Sequence, residues 1–440
     1  MSVNSASRSH AFDALPIFQS GQAQAVSGDS TACFDRQVPP FVDALLEHLY
    51  ASIHATLGMF RFDGSIASAS TYISMAGGRP TAVLLYRRER ERVTVLNTSI
   101  ELSQAEIERF ARTIFRRYRD ASVIVFNGIR HDITRLPYPV QRYGYLEDIV
   151  AELPPTPDLY FSSLGRNMRE TIKRFQNRLK RTHPGFRFEV QVNDEANEDQ
   201  IRDLYTLQRA RIRSKNKTST ITDAEIERII TLVKERGLVT IATIDGKVCG
   251  GMVCWRAGDN FFMRTIAHDP QYDDLKLGTL CCYYTISECI VRGGKAFYFS
   301  PGRVLYKYRF LGLERMYDRV VLYRSPLHML PNLGTVIRTA IAGRIRSFRD
   351  ELLEAKSGDA PPARLSVRLF LAWRALSSAG SARERIAAAR STLRPAQGKP
   401  AGAHLRLSAS EEATREIRMR RKGASNHPAE ETAGTETHAM

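Results

Sequence analysis

No run of residues in this 440-residue chain approaches the roughly 18 uninterrupted apolar positions needed to cross a bilayer. The N-terminal residues lack a charged stretch followed by an apolar core, so no secretion leader is expected. Cysteine is scarce, with six residues and no CxxC spacing, which argues against a structural zinc site. Cys281 and Cys282 are adjacent in a helical pattern. With Cys33, Cys249, Cys254 and Cys289 they read as small buried hydrophobes in a reducing compartment. A cytoplasmic location and no metal are the expectations. There is no recognisable nucleic-acid-binding module, nor the aromatic interleaving of single-strand binders. Negative charge is also short: 47 Asp and Glu face 64 Lys and Arg, a formal net charge of +17. Such a surplus draws anions, whether nucleic acid, acidic headgroups or phosphorylated ligands, although a basic solubilising tail accounts for it equally well.

What is present is ordinary for a globular protein, with 43% hydrophobic and 25% charged residues. The length suits two domains plus extensions. Residues 1–36 are rich in Ser, Ala, Gln and Gly without a sustained period, and 377–440 are rich in Ala, Arg, Glu and Ser without a core pattern; both are expected to be disordered. Residues 329–376 form a basic extension. Two arginine-laced helices are expected there, about Val336–Leu353 and Leu365–Leu376, with apolar faces that would dock on the body or on an acidic membrane.

Between these extensions the chain gives the same pattern twice, over 37–155 and 156–328. In the second copy a strand (Phe186–Val192) precedes two helices, opened by Asn197 and by the capping box Thr222-Asp-Ala-Glu225; Gly237 closes the latter. A meander follows, Val239–Ile244, Val248–Arg256 and Phe261–Ile266, turning at Asp245-Gly246 and at Ala257–Asn260. Then come a helix (Leu277–Val291), a strand (Ala296–Ser300), a turn or short helix (Gly302–Phe310) and a last strand (Asp318–Tyr323). The first copy is looser. It has a helical segment at Val42–Leu57, strands near Ser70–Met75, Ala82–Tyr86 and Val93–Asn97, and a helix from the capping box Ser103–Glu106 to about Tyr118. Strands at Val123–Phe126 and Gly144–Val150 end it. The expected fold class is α/β, with a mixed, mostly antiparallel sheet flanked by helices. Two unrelated α/β halves remain the alternative to duplication.

This order of elements resembles that of the GNAT acyltransferases. Tyr160-Phe-Ser-Ser-Leu164 with Arg169 and a basic helix, and Phe299-Ser-Pro-Gly302 followed by Tyr306-Lys307 and Phe310-Leu-Gly312, are similar to the acetyltransferase-like proteins of bacterial cellulose and exopolysaccharide synthesis. The resemblance covers roughly 160–324 and extends weakly over 42–150, as in Fem-type aminoacyltransferases with a degenerate first half. It implies tandem GNAT-like halves, an acyl-CoA co-substrate such as acetyl-CoA or a longer thioester, and an amine or hydroxyl acceptor.

The family's pyrophosphate loop usually reads Arg/Gln-x-x-Gly-x-Gly/Ala. Here the corresponding place is Asp274-Leu-Lys276-Leu-Gly278-Thr-Leu280, with one glycine. Lys276, Leu277, Gly278 and Thr279 are the expected cofactor-binding residues. A helix N-terminus presents unpaired N–H groups and a positive dipole end, and glycine permits close approach. The equivalent first-half turn, Thr98–Ser103, has no glycine and carries Glu101, so it should not bind CoA.

Acyl transfer from a thioester needs a deprotonated nucleophile, donors for the tetrahedral oxyanion and an acid for the departing thiolate. The resemblance places the acid near Tyr306, with Tyr308 as rival. His268 and Asp269 are the candidate bases, although Asp269-Pro270 also suits a turn. Arg264, a charge within an apolar strand, calls for a partner or a ligand. The resemblance implies that Lys307 holds an anionic acceptor or a cofactor phosphate. Arg169 belongs to the basic helix Gly165–Arg181, where Arg166, Lys173, Arg174, Arg178, Lys180 and Arg181 are opposed only by Glu170. That face suits tRNA, a lipid-linked pyrophosphate or membrane headgroups.

The expected function is acyl transfer from acyl-CoA to a sugar, amino sugar or cell-envelope precursor, with peripheral membrane contact an open partner. Fem-type transfer from aminoacyl-tRNA is one alternative, although the Fem coiled-coil arm is missing. A catalytically silent scaffold that binds a partner or membrane is the other.

Overall fold

The computed structural model describes residues 23–334 and 337, apart from 27, 28, 215, 217, 300 and 331. The expected tail 377–440, the helix at 365–376 and all but Ile337 of the helix at 336–353 lie outside them. So do residues 1–22. The expectation of no order up to residue 36 is corrected at its end. β1 (Ala23–Val26) and β2 (Asp29–Phe34) form a hairpin, and β2 pairs with Ser70–Ala76 along its length. Alternation over six residues is too short to stand out from a small-residue segment.

The helix expected at Val42–Leu57 is interrupted. α1 (Val42–Tyr50) stops where Ala51 turns left-handed (φ 43°), a 3-10 turn covers Ile53–Ala55, and Thr56 caps α2 (Leu57–Phe62) by accepting from Met59 N–H. Next come β3 (Ser70–Ala76), β4 (Arg79–Glu89), β5 (Arg92–Val95), β6 (Ile100–Leu102), α3 (Gln104–Arg117), β7 (Val123–His131) and β8 (Val140–Glu152). The second half contains α4 (Pro157–Ser163), α5 (Arg166–Thr182), β9 (Arg187–Val192), α6 (Glu198–Arg213) and α7 (Asp223–Arg236). β10 (Gly237–Ile244), β11 (Lys247–Ala257), β12 (Asn260–His268), α8 (Leu277–Val291), β13 (Ala296–Phe299), α9 (Leu305–Arg309) and β14 (Leu313–Tyr323) complete it. Gly237 ends α7 in an extended conformation, where a Cβ would come 2.5 Å from the Val233 carbonyl oxygen.

The strands join in one sheet in the order β1-β2-β3-β4-β5-β7-β14-β8-β13-β12-β11-β10-β9, with β6 on β7. The path reads alike from both ends. Each antiparallel meander meets a parallel neighbour (β5 with β7, β12 with β13), and the two last strands are exchanged. β14 inserts between β7 and β8, while β8 from the first half pairs with β13 of the second. In the second half α4, α5 and α8 pack on one face of the sheet and α6 and α7 on the other, each layer over its own apolar core. Arg236 on α7 pairs with Asp43 of α1, and Asn260 donates to the Ala51 carbonyl, tying the halves together.

Candidate active site

β12 and β13 are paired only from Asn260–Phe262 to Ala296–Tyr298. Beyond that, β12 runs on to His268 while β13 stops at Phe299, so the sheet splits, and α8 starts beside the split. The start of α8 is unusual in chemistry. Lys276 precedes it in the left-handed region (φ 52°), and no side chain caps it. Leu277 is buried as an anchor, Gly278 and Thr279 are half-buried, and Lys276 is exposed with no acidic partner among the described residues. The N-terminal dipole end is therefore left without a side-chain cap or an acidic partner for Lys276 among the described residues.

Gly278 packs on the imidazole of His268: a Cβ there would lie 2.7 Å from both Cε1 and Nδ1. His268 Nε2 is 2.7 Å from Asp273 Oδ1, while the buried Nδ1 has no partner among the described residues. Burial holds this imidazole below its ordinary pKa, against the opposing pull of Asp273. A neutral ring donating from Nε2 to the carboxylate leaves Nδ1 as a proton acceptor. Asp269 next to it accepts from the backbone and side-chain nitrogens of Gln271, capping the 3-10 turn Pro270–Leu275.

Across the split, Tyr306 on α9 packs edge-on to Phe299 at 6.2 Å, and burial raises its hydroxyl above the ordinary tyrosine range. The charge of Arg211 on α6 disfavours the protonated form of His268 and favours the ionised form of Tyr306. Tyr308 instead donates to Glu314 at 2.7 Å. Lys307 is 2% exposed, and its ammonium donates to the carbonyls of Gly302 (2.7 Å) and Pro301 (3.2 Å). Burial lowers its pKa to about 8, although Glu147 and Asp148 pull it back.

The other expected residues are engaged elsewhere. Arg264 finds its partner in Glu225 of α7 at 2.5 Å and lies over the Trp255 ring. Arg169 donates to the carbonyls of Ser162 and Leu164, closing the C-terminal end of α4. In the same basic helix Arg178 pairs with Asp274 at 2.6 Å, which fastens α5 to the turn before α8. Exposed Lys180 and Arg181 have no acidic partner among the described residues.

One residue escaped the sequence reading. Asp148 on β8 is 5% exposed, directly before Ile149, which pairs with Phe299, and its Oδ2 has no hydrogen-bond partner among the described residues. Burial pushes its carboxyl up to about 6, against Ser99, Arg315 and Tyr317. The signal was an acid directly before the apolar run Ile149-Val150-Ala151. Only the strand exchange brings it to the second half.

The first-half counterpart is closed. β6 fills the gap beyond the β5–β7 pairing, Ser103 accepts from Glu106 N–H, and Asp132 accepts from Gln104 N–H at the first turn of α3. Those carboxylate and hydroxyl groups occupy the donors that α8 leaves uncapped. No group of three or more His, Cys, Asp or Glu among the described residues is placed to hold a metal ion.

The family profile "Acetyltransferase (GNAT) domain" matches residues 166–308, which run from α5 into α9 and include the α8 turn. No curated protein matches the chain. Among solved structures, the chain is similar to "FemX" (10% identity, TM-score 0.49, covering 67% of this chain and 98% of that one). It is also similar to "L-PGS from Bacillus licheniformis" (12%, 0.40, covering 71% and 98%). A "Tandem GNAT protein from the clavulanic acid biosynthesis pathway" is similar at 11% identity, TM-score 0.34, covering 66% and 98%. The segment that carries the split sheet and the uncapped helix is thus the part of the chain that matches a GNAT acetyltransferase domain.

Proposed function

We propose that this protein transfers an acyl group from acyl-CoA to an amine or hydroxyl of a sugar, amino sugar or cell-envelope precursor. The observation that carries the reading is the uncapped start of α8 at the β12–β13 split, set against its closed counterpart in the first half. Lys276, Leu277, Gly278 and Thr279 would receive the pyrophosphate there. Acyl-CoA supplies an activated thioester carbonyl, and the residues around the split supply proton management. His268 Nδ1 takes the proton from the attacking amine or hydroxyl, with Asp273 holding the ring; Asp269 supports the same loop. Tyr306 donates its hydroxyl proton to the departing sulfur as the C–S bond breaks. Lys307 orients an anionic group of the acceptor or cofactor through its buried charge. The exopolysaccharide assignment rests on the resemblance of the Phe299–Gly302 and Tyr306–Gly312 segments.

A second reading is aminoacyl transfer from aminoacyl-tRNA. It is favoured by exposed Lys180 and Arg181 on α5 and by Lys276, which have no acidic partner among the described residues. Titration calorimetry with acetyl-CoA, a longer acyl-CoA and tRNA separates the two. Acyl-CoA binding that Gly278→Glu abolishes supports the first. Salt-steep tRNA binding without acyl-CoA binding supports the second. Binding of neither leaves the silent scaffold.

A further inference from the structure

β12 ends at the split and begins beside a cavity of about 410 Å³, next to the last residues of α8. At about 1.5 Å of rise per residue, the 15 residues of α8 place this cavity roughly 22 Å from the turn at the helix start. Val192 at the end of β9, Leu238 near the start of β10 and Phe261 near the start of β12 form its apolar wall, continuous with the core under α8. Arg236 at the end of α7, Arg256 on β11 and Arg292 just after α8 bring guanidinium groups to it from three elements. Arg256 lies over the Phe261 ring at 5.4 Å, so the wall and a cation meet.

The hydrogen bonds around the cavity favour an anion. Both acids that line it are already engaged: Glu47 accepts from the Gly258 N–H at 2.8 Å and pairs with Arg236 at 3.5 Å, and Glu235 pairs with Arg61 at 3.3 Å. The arginines have donors to spare. Arg256 gives Nε to the Gly258 carbonyl at 2.8 Å, and among the described residues its Nη groups reach no acid closer than Asp259 at 3.8 Å, which Lys295 holds at 2.9 Å. Arg292 spends only Nη1, on the carbonyl and carboxylate of Glu288. The charge of Arg236 is met by Asp43 and Glu47, yet its buried Nε has no hydrogen-bond partner among the described residues. The carbonyls of Glu288, Cys289 and Ile290 accept from the N–H groups of Arg292, Gly294 and Gly293, so the end of α8 adds little unpaired negative charge.

A planar carboxylate is satisfied by one guanidinium fork, whereas a tetrahedral phosphate offers oxygens to two forks that arrive from different elements. We propose that this cavity binds a small organic phosphate, with Arg256 and Arg292 on the phosphate and the wall of Val192, Leu238 and Phe261 against its carbon skeleton. Its volume falls in the range of small-molecule sites. The site is separate from the α8 turn and does not depend on the transferase reading.

Calorimetric titration of the full chain with phenyl phosphate at low ionic strength is the test, with benzoate and inorganic phosphate as comparison probes. The wild type and a folded Gly278→Glu should bind phenyl phosphate alike, which separates this cavity from the α8 turn. The double variant Arg256→Gln, Arg292→Gln should weaken binding by about tenfold or more. These side chains are 44% and 31% exposed, so circular dichroism should show an unchanged fold. Arg256→Lys keeps the charge without the fork and should weaken binding less than the double variant. No binding of phenyl phosphate at millimolar concentration, wild-type binding by the double variant, or loss of binding in a folded Gly278→Glu would overturn the inference. So would benzoate binding as tightly, since a carboxylate would then suffice, or inorganic phosphate binding as tightly, since the apolar wall would then play no part.

Discussion

Gly278 and His268 are in direct contact: the α-carbon of the first opens a space that the imidazole of the second fills, and a methyl group at 278 would sit 2.7 Å from its Cε1 and Nδ1. The contact joins the helix start expected to receive a phosphate to the ring expected to take a proton. Glycine at this position thus has a packing reason as well as a binding one.

Gly278→Ala should therefore be destabilising by about 1–3 kcal/mol, because the ring is pinned by Asp273 and buried. Adding His268→Ala should recover much of the loss, a coupling that denaturant unfolding of the four members of the cycle measures directly. Additive losses would mean the two residues do not share the space.

Tyr306→Phe keeps the packing on Phe299 and removes only the hydroxyl. If that hydroxyl protonates the leaving thiolate, turnover should fall by about 100-fold with acyl-CoA affinity unchanged. Wild-type turnover in the variant would move the acid elsewhere, and Tyr308, already bonded to Glu314, would be next to examine.

Lys307 is held to a pKa of about 8 by burial. If its positive charge holds an anionic group, activity should decline as pH rises through 8. Lys307→Met should be less active and should lose that alkaline limb, while Lys307→Arg should shift it upward if the space admits a guanidinium. A pH–rate profile from 6 to 10 reads all three, with the limb expected at about 8 from the lysine itself. A limb that persists in Lys307→Met would assign it to another group.

Stability should also depend on pH through His54, which is packed edge-on against Phe262 and lowered by burial from 6.5 to about 4. Its folded pKa lies below the unfolded one, so the unfolded chain binds the proton first. The contribution is fully present above pH 6.5 and is lost as pH falls toward 4. Between pH 7 and pH 5 this one group should cost about 2 kcal/mol. His54→Gln should flatten that part of the profile in urea titrations; an unchanged slope would place the acid sensitivity elsewhere.

Local chemistry was legible in the sequence wherever a short-range rule decides the structure. Asp245-Gly246 does form the turn with both residues at positive φ, and Ser103, Asn197 and Thr222 do accept from the first-turn N–H groups of their helices. The span of α8, Leu277–Val291, was readable from its apolar period and the glycines after it. Long-range pairing was not. Nothing near Glu147 or Asp148 says that β8 leaves its own half to lie against β13, because register across some 150 residues is set by the assembled sheet. The same holds for Arg264. The unsatisfied charge was visible in the strand, but its partner Glu225 lies on a helix whose packing side only the fold determines. Gly278 shows a third kind of gap. A glycine at a helix start suggested phosphate binding, and its contact with His268, ten residues earlier across a turn, could not be seen from spacing.

Calorimetric titration of the wild type with acetyl-CoA and a longer acyl-CoA, alongside Gly278→Glu and the first-half variant Asp132→Ala, tests the central claim most directly. Saturable binding by the wild type and by Asp132→Ala, lost in a folded Gly278→Glu, is the predicted result. No binding of either thioester by the wild type at millimolar concentration, or binding that survives Gly278→Glu, would contradict it.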